Sequence, residues 1–244
     1  MILIFFITGL LIGSFTNVCI YRIPIHKSII TPPSSCGSCG HRLNYIDMLP
    51  VVNYVINKGK CRYCGSKYSV QYPMIELLNG ILYGAIAFKY GLSVTAVLYC
   101  IIASTLITIS IIDLRNKIIP DSLNIVLLVI GVLFIIYDSS IITDKLSGAV
   151  VGFVLFFAIT LATNAMGGGD IKLITALGLI FGFKGVLFIV FFSFVIGAVL
   201  SAVLLITKIK TRKDEIPFGP FISAAVLLYI FYGIEIIELY LSFL

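Results

Sequence analysis

With 244 residues, 60% of them hydrophobic and only 11% charged, and a mean hydropathy of +1.13, the chain carries more apolar surface than one water-soluble core can hide. A soluble globular protein is thereby excluded, and the net charge of +6 suits anionic lipid headgroups rather than nucleic acid. The expected fold class is an all-α polytopic membrane protein, with about eight transmembrane helices and one cytoplasmic, cysteine-rich, zinc-binding loop.

Runs approaching the ~20 apolar residues that span a bilayer as a helix fall at about 2–21, 74–90, 93–112, 123–137, 146–163, 171–183, 185–206 and 218–241. The sixth is short and reads either as a span or as a tilted or re-entrant segment. These runs divide the chain into a first transmembrane helix (1–21), a cytoplasmic tetracysteine loop (22–73) and a transmembrane core (74–244). The first run lacks a basic leading stretch and an A-x-A-like cleavage site, so it is expected to stay in place as a helix rather than be removed as a signal peptide. Lys and Arg gather on the cytoplasmic side of membrane proteins. Here they gather in the loop, at Arg115 and Lys117, and at Lys208, Lys210, Arg212 and Lys213. Eight spans with the N-terminus outside put all three groups in the cytoplasm.

The loop contains "CGSCG" at 36–40 and "CRYCG" at 61–65. Each C-x-x-C knuckle offers two thiolates to one side of a tetrahedral ion, and the glycine after each pair permits a tight turn. Cys36, Cys39, Cys61 and Cys64 are therefore candidate ligands of a structural zinc. Two disulfides are the alternative, but they need an oxidising compartment, against the cytoplasmic placement. Cys19 and Cys100 lie in apolar runs and read as packing residues, and His26 and His41 as ordinary loop positions.

Most acids have plain accounts. Asp138 and Asp144 fall in an outer loop, Asp214 and Glu215 beside a basic cluster, and Glu235 and Glu238 near the outer interface. Asp47 and Glu76 are candidates for reading a basic peptide. Asp121, after Pro120, reads as a helix N-cap. Asp113 and Asp170 stand apart. Asp113 ends the third run, where the helix dipole disfavours an anion, unless Arg115 or Lys117 pairs with it. Asp170 follows three glycines and opens the sixth run. It could cap that helix, yet Gly167–Gly169 exceed what a cap needs and suggest closely approached backbone. Topology puts both acids at the cytoplasmic face, and an ionisable group at membrane depth is a functional hypothesis by default. Two carboxylates that share a proton can act as general base and general acid on a peptide bond. The alternative is a proton- or cation-coupled transporter using the same acids.

"GSFTNVCIYRIP" (13–24), the paired C-x-x-C loop, "YPMIELLNG" (72–80), "IDLRNKIIPD" (112–121) and "GGGD" (167–170) occur in the order found in type IV prepilin peptidases, membrane aspartic proteases with a G-x-G-D motif, and the chain resembles that family. The resemblance implies that Asp113 and Asp170 are the catalytic pair and that Gly167 and Gly169 are the motif glycines. It further implies cleavage of the basic leader of prepilins and pseudopilins at the cytoplasmic face of the bacterial inner membrane. Many members of the family also N-methylate the new terminus with S-adenosylmethionine, an activity associated with the cysteine loop.

Overall fold

A chain in lipid must satisfy its own backbone, and for a single apolar run a helix does so. The computed structural model describes residues 1–163, 166–208, 211 and 215–242, and no strand occurs among them. Its α-helices are α1 (Ile2–Arg22), α2 (Val52–Ile56), α3 (Gln71–Tyr90), α4 (Val94–Asn116), α5 (Asp121–Tyr137), α6 (Ile142–Thr163), α7 (Gly168–Ile206) and α8 (Gly219–Leu241). Of these, α1, α4, α6, α7 and α8 are long and apolar enough to cross a membrane; α5, with 17 residues, is apolar but shorter. Outward-facing Leu3, Phe88, Ile136 and Phe191 are each more than 60% exposed, an arrangement suited to lipid and not to water. Two compact units divide the chain, Met1–Thr108 and Ile109–Leu244, so that α4 begins in one and ends in the other.

In the first unit α1 and α3 pack antiparallel and close. A methyl group at Gly9 would lie 2.7 Å from Asn79 O, and one at Gly13 would lie 2.6 Å from the Cα of Glu76. This small-xxx-small spacing lets two backbones approach where hydrophobic burial cannot drive association, because lipid is as apolar as leucine. A polar chain ties α3 to the middle of α4: Ser104 donates to Asn79 Oδ1 at 2.6 Å and pairs with the Tyr83 hydroxyl at 2.9 Å. At the end of α1 the Arg22 guanidinium donates to the carbonyls of Ser28 (3.0 Å) and Pro32 (2.8 Å), which folds the outgoing loop back over the helix end.

In the second unit α6 packs on α7 through glycines of both helices. A methyl group at Gly148 would meet the Gly178 carbonyl oxygen at 2.5 Å and the Gly182 carbonyl carbon at 2.4 Å. Although α7 runs for 39 residues, Gly182 breaks it with φ 73° and ψ −171°, a conformation essentially restricted to glycine. The break reverses the chain. At Gly152 a methyl group would lie 3.0 Å from Ile174 O and 3.1 Å from Val186 Cγ2. Twelve residues of straight helix would separate those two by about 18 Å. The segments 171–183 and 185–206 expected from sequence are therefore two limbs folded against the same helix. Asp144, expected in an outer loop, instead lies in the first turn of α6 and serves this break: its Oδ1 accepts from Phe183 N–H at 3.2 Å, and Lys145 donates to Ile180 O. Donor and acceptor freed by the kink are both met, as a membrane interior requires.

Candidate active site and metal centre

Asp113 lies near the C-terminal end of α4 and is 5% exposed. The problem of an anion at a helix C-terminus is solved by another helix: Gly219, the first residue of α8, donates its backbone N–H to Asp113 Oδ2 at 2.8 Å. The carboxylate thus faces the positive end of α8. A methyl group at Gly219 would sit 2.7 Å from Asp113 Oδ2 and 3.3 Å from its Cγ, so any larger residue there must displace the carboxylate. Lys117 pairs with Glu215 at 2.8 Å.

Asp170 is the third residue of α7, and the N-cap is Gly167. Its Oδ2 accepts the Gly167 N–H at 3.1 Å, while its own N–H donates to Gly167 O at 3.1 Å. One oxygen therefore does capping work. The other, Oδ1, is buried and has no partner. Asp170 lies close enough to Asp113 for the two charges to interact. Of the motif glycines, Gly169 is the one sterically required, since a methyl group there would come within 2.9 Å of Ile119 Cβ. At Gly167 the nearest atom would be 3.7 Å away, an ordinary contact, so its place as N-cap rests on its extended φ −82°, ψ 158° rather than on space.

Asp121 is not the cap of α5. Pro120 occupies that position, and Asp121 is the first helical residue, pairing across to Lys172 of α7 at 2.7 Å. This pair is more than half exposed and contributes about 0–1 kcal/mol, but it fixes the starts of α5 and α7 at one level. Asn124, one turn into α5, was not singled out in the sequence. It is 2% exposed, and neither of its amide atoms has a partner. It lies seven residues before Gly131, which packs on Leu179 of α7, so both occupy the α7-facing side of α5. Among the described residues, the unpartnered buried side-chain atoms of this unit belong to Asp170 and Asn124 alone. An unpaired buried acceptor whose charge is felt by a second carboxylate can hold a water or a peptide group. Lys210, Arg212, Lys213 and Asp214 lie outside the described residues.

In the loop, the Sγ atoms of Cys36, Cys39, Cys61 and Cys64 all lie within 4.8 Å of one another, and Cys36 and Cys64 are 3.9 Å apart. Tetrahedral zinc with Zn–S of ~2.3 Å sets its sulfurs about 3.8 Å apart, so the donor set fits the ion. The two knuckles are built alike. Cys36 N–H donates to His41 O and Gly40 N–H to Cys36 O; Cys61 N–H donates to Ser66 O and Gly65 N–H to Cys61 O. Gly40 and Gly65 both take the left-handed turn, at φ 70° and 72°. Backbone N–H groups of Cys39 and Ser38 hold the Cys36 thiol down to about 5, and the Tyr68 hydroxyl with the Cys64 and Tyr63 N–H groups lowers Cys61. Cys39 also accepts from the His41 N–H, yet burial and its thiol neighbours push it up to about 11. Without a cation the cluster shares its charge unevenly, and a bound cation favours the thiolate form at all four. Asp47, a candidate for reading a basic peptide, is engaged inside the loop: Oδ2 accepts from Asn44 N–H at 3.1 Å and from the Tyr63 hydroxyl at 3.0 Å. An apolar groove in the loop, lined by Leu49, Ile56 and Arg62, measures about 190 Å³, and an apolar recess lined by Phe5, Tyr83 and Cys100 measures about 380 Å³; ligand pockets begin at about 300 Å³.

Comparison with known proteins adds an independent line. Residues 7–90 match the bacterial peptidase A24 N-terminal domain, and residues 100–202 match the type IV leader peptidase family. A prepilin leader peptidase/N-methyltransferase of Bacillus subtilis (strain 168) is 34% identical over 244 residues, covering 99% of this chain and 98% of the relative. Proteins of the same name in Xanthomonas campestris pv. campestris and Neisseria gonorrhoeae are 34% and 30% identical, over 96% and 90% of this chain and 92% and 86% of theirs. No solved structure matches.

Proposed function

The chain belongs to the type IV leader peptidase family, and we propose from that premise that Asp113 and Asp170 are its catalytic pair, cutting the leader from prepilins and pseudopilins. The reading is carried by one observation: two carboxylates distant in sequence interact within one unit, one held by a helix N-terminus and the other keeping a buried, unpartnered oxygen.

Peptide hydrolysis at such a pair needs one carboxylate and one carboxylic acid. The ionised member takes a proton from water as the water oxygen attacks the scissile carbonyl. The protonated member donates to the carbonyl oxygen, and the tetrahedral adduct collapses with the proton delivered to the leaving amine. The unpartnered Oδ1 of Asp170 is the position where water or the carbonyl docks. Gly219 holds Asp113 in place, and Gly169 lets Ile119 close against the start of α7. Both acids stand at helix ends, which suits a scissile bond at the membrane surface and gives a transport pathway through the midplane no support.

We place the protein in the bacterial cytoplasmic membrane as eight spans, with the two limbs of α7 counted separately, the N-terminus outside, and loop and acids facing the cytoplasm. The Lys and Arg distribution and the fold-back at Gly182 support this topology, and anionic lipid is the expected neighbour of the basic ends. Cys36, Cys39, Cys61 and Cys64 would hold a structural zinc that folds the loop; with four protein ligands no coordination site opens for water. N-methylation of the new terminus, named for the relatives, would use S-adenosylmethionine as donor. In a strain co-expressing a prepilin, Asp113→Asn and Asp170→Asn should each lower cleavage roughly a hundred- to ten-thousand-fold while the protein still inserts. Full cleavage by both variants removes the assignment.

A further inference from the structure

Two sequence stretches singled out above take no part in the acid pair: "GSFTNVCIYRIP" and "YPMIELLNG". The first unit brings them together. Glu76 of α3 is 7% exposed, and its carboxylate accepts from Val51 N–H at 2.8 Å and from the Ser14 hydroxyl. Asn17 of α1 is 4% exposed. Its Nδ2 donates to Gly13 O at 3.2 Å and to Tyr72 O at 3.1 Å, and its Oδ1 is buried with no partner. The helices run antiparallel, with Gly13 against the Cα of Glu76. Helical side chains lean toward their own N-terminus. Glu76 therefore leans toward the turn that Asn17 touches, and Asn17 leans back toward the level of Glu76.

The two groups share a chemistry. A carboxylate keeps about four acceptor positions. At Glu76 the Val51 N–H and the Ser14 hydroxyl fill two of them, and no cation pairs with it among the described residues. Asn17 Oδ1 is an acceptor with nothing to accept. A buried acid without a countercharge and an orphaned carbonyl oxygen are both costly at membrane depth, and both are satisfied by one kind of guest, a cation that donates several hydrogen bonds. We propose that Glu76 and Asn17 form a receptor for a primary ammonium group, at the loop end of α1 and α3. Resting on the prepilin-processing reading, two sources present such a group at this surface: a lysine of the basic leader, and the α-amine that cleavage exposes. The second is also the acceptor that N-methylation requires.

The test uses the full-length protein in detergent and two pairs of synthetic peptides. One pair carries the mature prepilin start with a free or an acetylated α-amine. The other carries the leader with lysine or acetyl-lysine. Binding of peptides needs no cleavage, so the result stands apart from the fate of the acid pair, which the asparagine variants report. The wild-type protein should prefer the charged form in at least one pair by about tenfold, the ratio that one charge-assisted hydrogen bond supports, and the pair that responds identifies the source. Glu76→Gln preserves an acceptor for Val51 N–H and Ser14 but removes the charge, and should abolish the preference while leaving the thermal melting of the protein in place. Should Glu76→Gln fail to fold, the wild-type comparison decides alone. Equal binding of charged and acetylated peptides in both pairs, or a preference kept in a folded Glu76→Gln protein, overturns the proposal.

Discussion

At the scale of single residues, the acid pair is set by groups of very different visibility in the sequence. Asp113 and Asp170 stand out because acids are rare in so apolar a chain and because triple glycine precedes one of them. Gly219 carries no such signal: "FGPF" reads as the start of a helix, and its contact with Asp113 spans 106 positions. Asn124 is equally silent, since its orphaned amide depends on what α7 presents to it. The close contact makes Gly219 a sharp probe. A methyl group 2.7 Å from Oδ2 pushes the Asp113 carboxylate off its N–H donor. On the proposed assignment of Asp113, such a displacement costs about a hundredfold in rate. Gly219→Ala should thus lower kcat for prepilin cleavage about that much, whereas Gly167→Ala, with only ordinary contacts in prospect, should cost far less. Equal losses at both positions would show that helix starts, and not the Asp113 contact, set the rate.

At the scale of elements, hydropathy located the helices and fixed the boundary between 183 and 185 to within a few residues of the break. It could not tell a hairpin from a loop, because the polar partners of the break come from α6. Asp144 looked like a loop acid in the sequence; in the fold it satisfies Phe183 N–H, and its neighbour Lys145 satisfies Ile180 O. Glycine is required at the break on two counts, the positive φ of 73° and the presence of Asp144 Oδ2 where a methyl group would stand. Gly182→Ala should destabilise the protein by on the order of 1–3 kcal/mol from backbone strain alone. Asp144→Ala leaves a backbone donor unmet, at about 1–3 kcal/mol, whereas Asp144→Asn keeps an acceptor and should cost less. Thermal unfolding in detergent measures all three. An Asp144→Ala protein as stable as wild type would mean that water, not α6, satisfies the break.

For the whole molecule, the division of labour follows from where each kind of residue can be kept. The loop has no apolar run long enough to form a core of its own, and Tyr45, Val55 and Ile56 lie more than 60% exposed on it. Its order therefore depends on the four thiolates, the Arg22 contacts and the Tyr63–Asp47–Asn44 network. The knuckle spacing made this centre legible from sequence, while the hydrogen bonds that give it shape were not, being made by loop residues with no periodic pattern. The acid pair belongs to Ile109–Leu244 and owes its geometry to helix ends, so metal and chemistry should separate in experiment. Purified protein should carry one zinc per chain. Chelation, or Cys36→Ser with Cys61→Ser, should expose Arg42, Lys58, Lys60 and Lys67 to trypsin while helical content by circular dichroism stays nearly constant, because ligand binding here is loop folding. The membrane helices resist this loss because their backbone hydrogen bonds have no water to turn to. A loop that stays resistant to trypsin after its metal is stripped would show that packing and hydrogen bonds alone hold it, and would reduce the tetracysteine cluster to a set of reduced thiols.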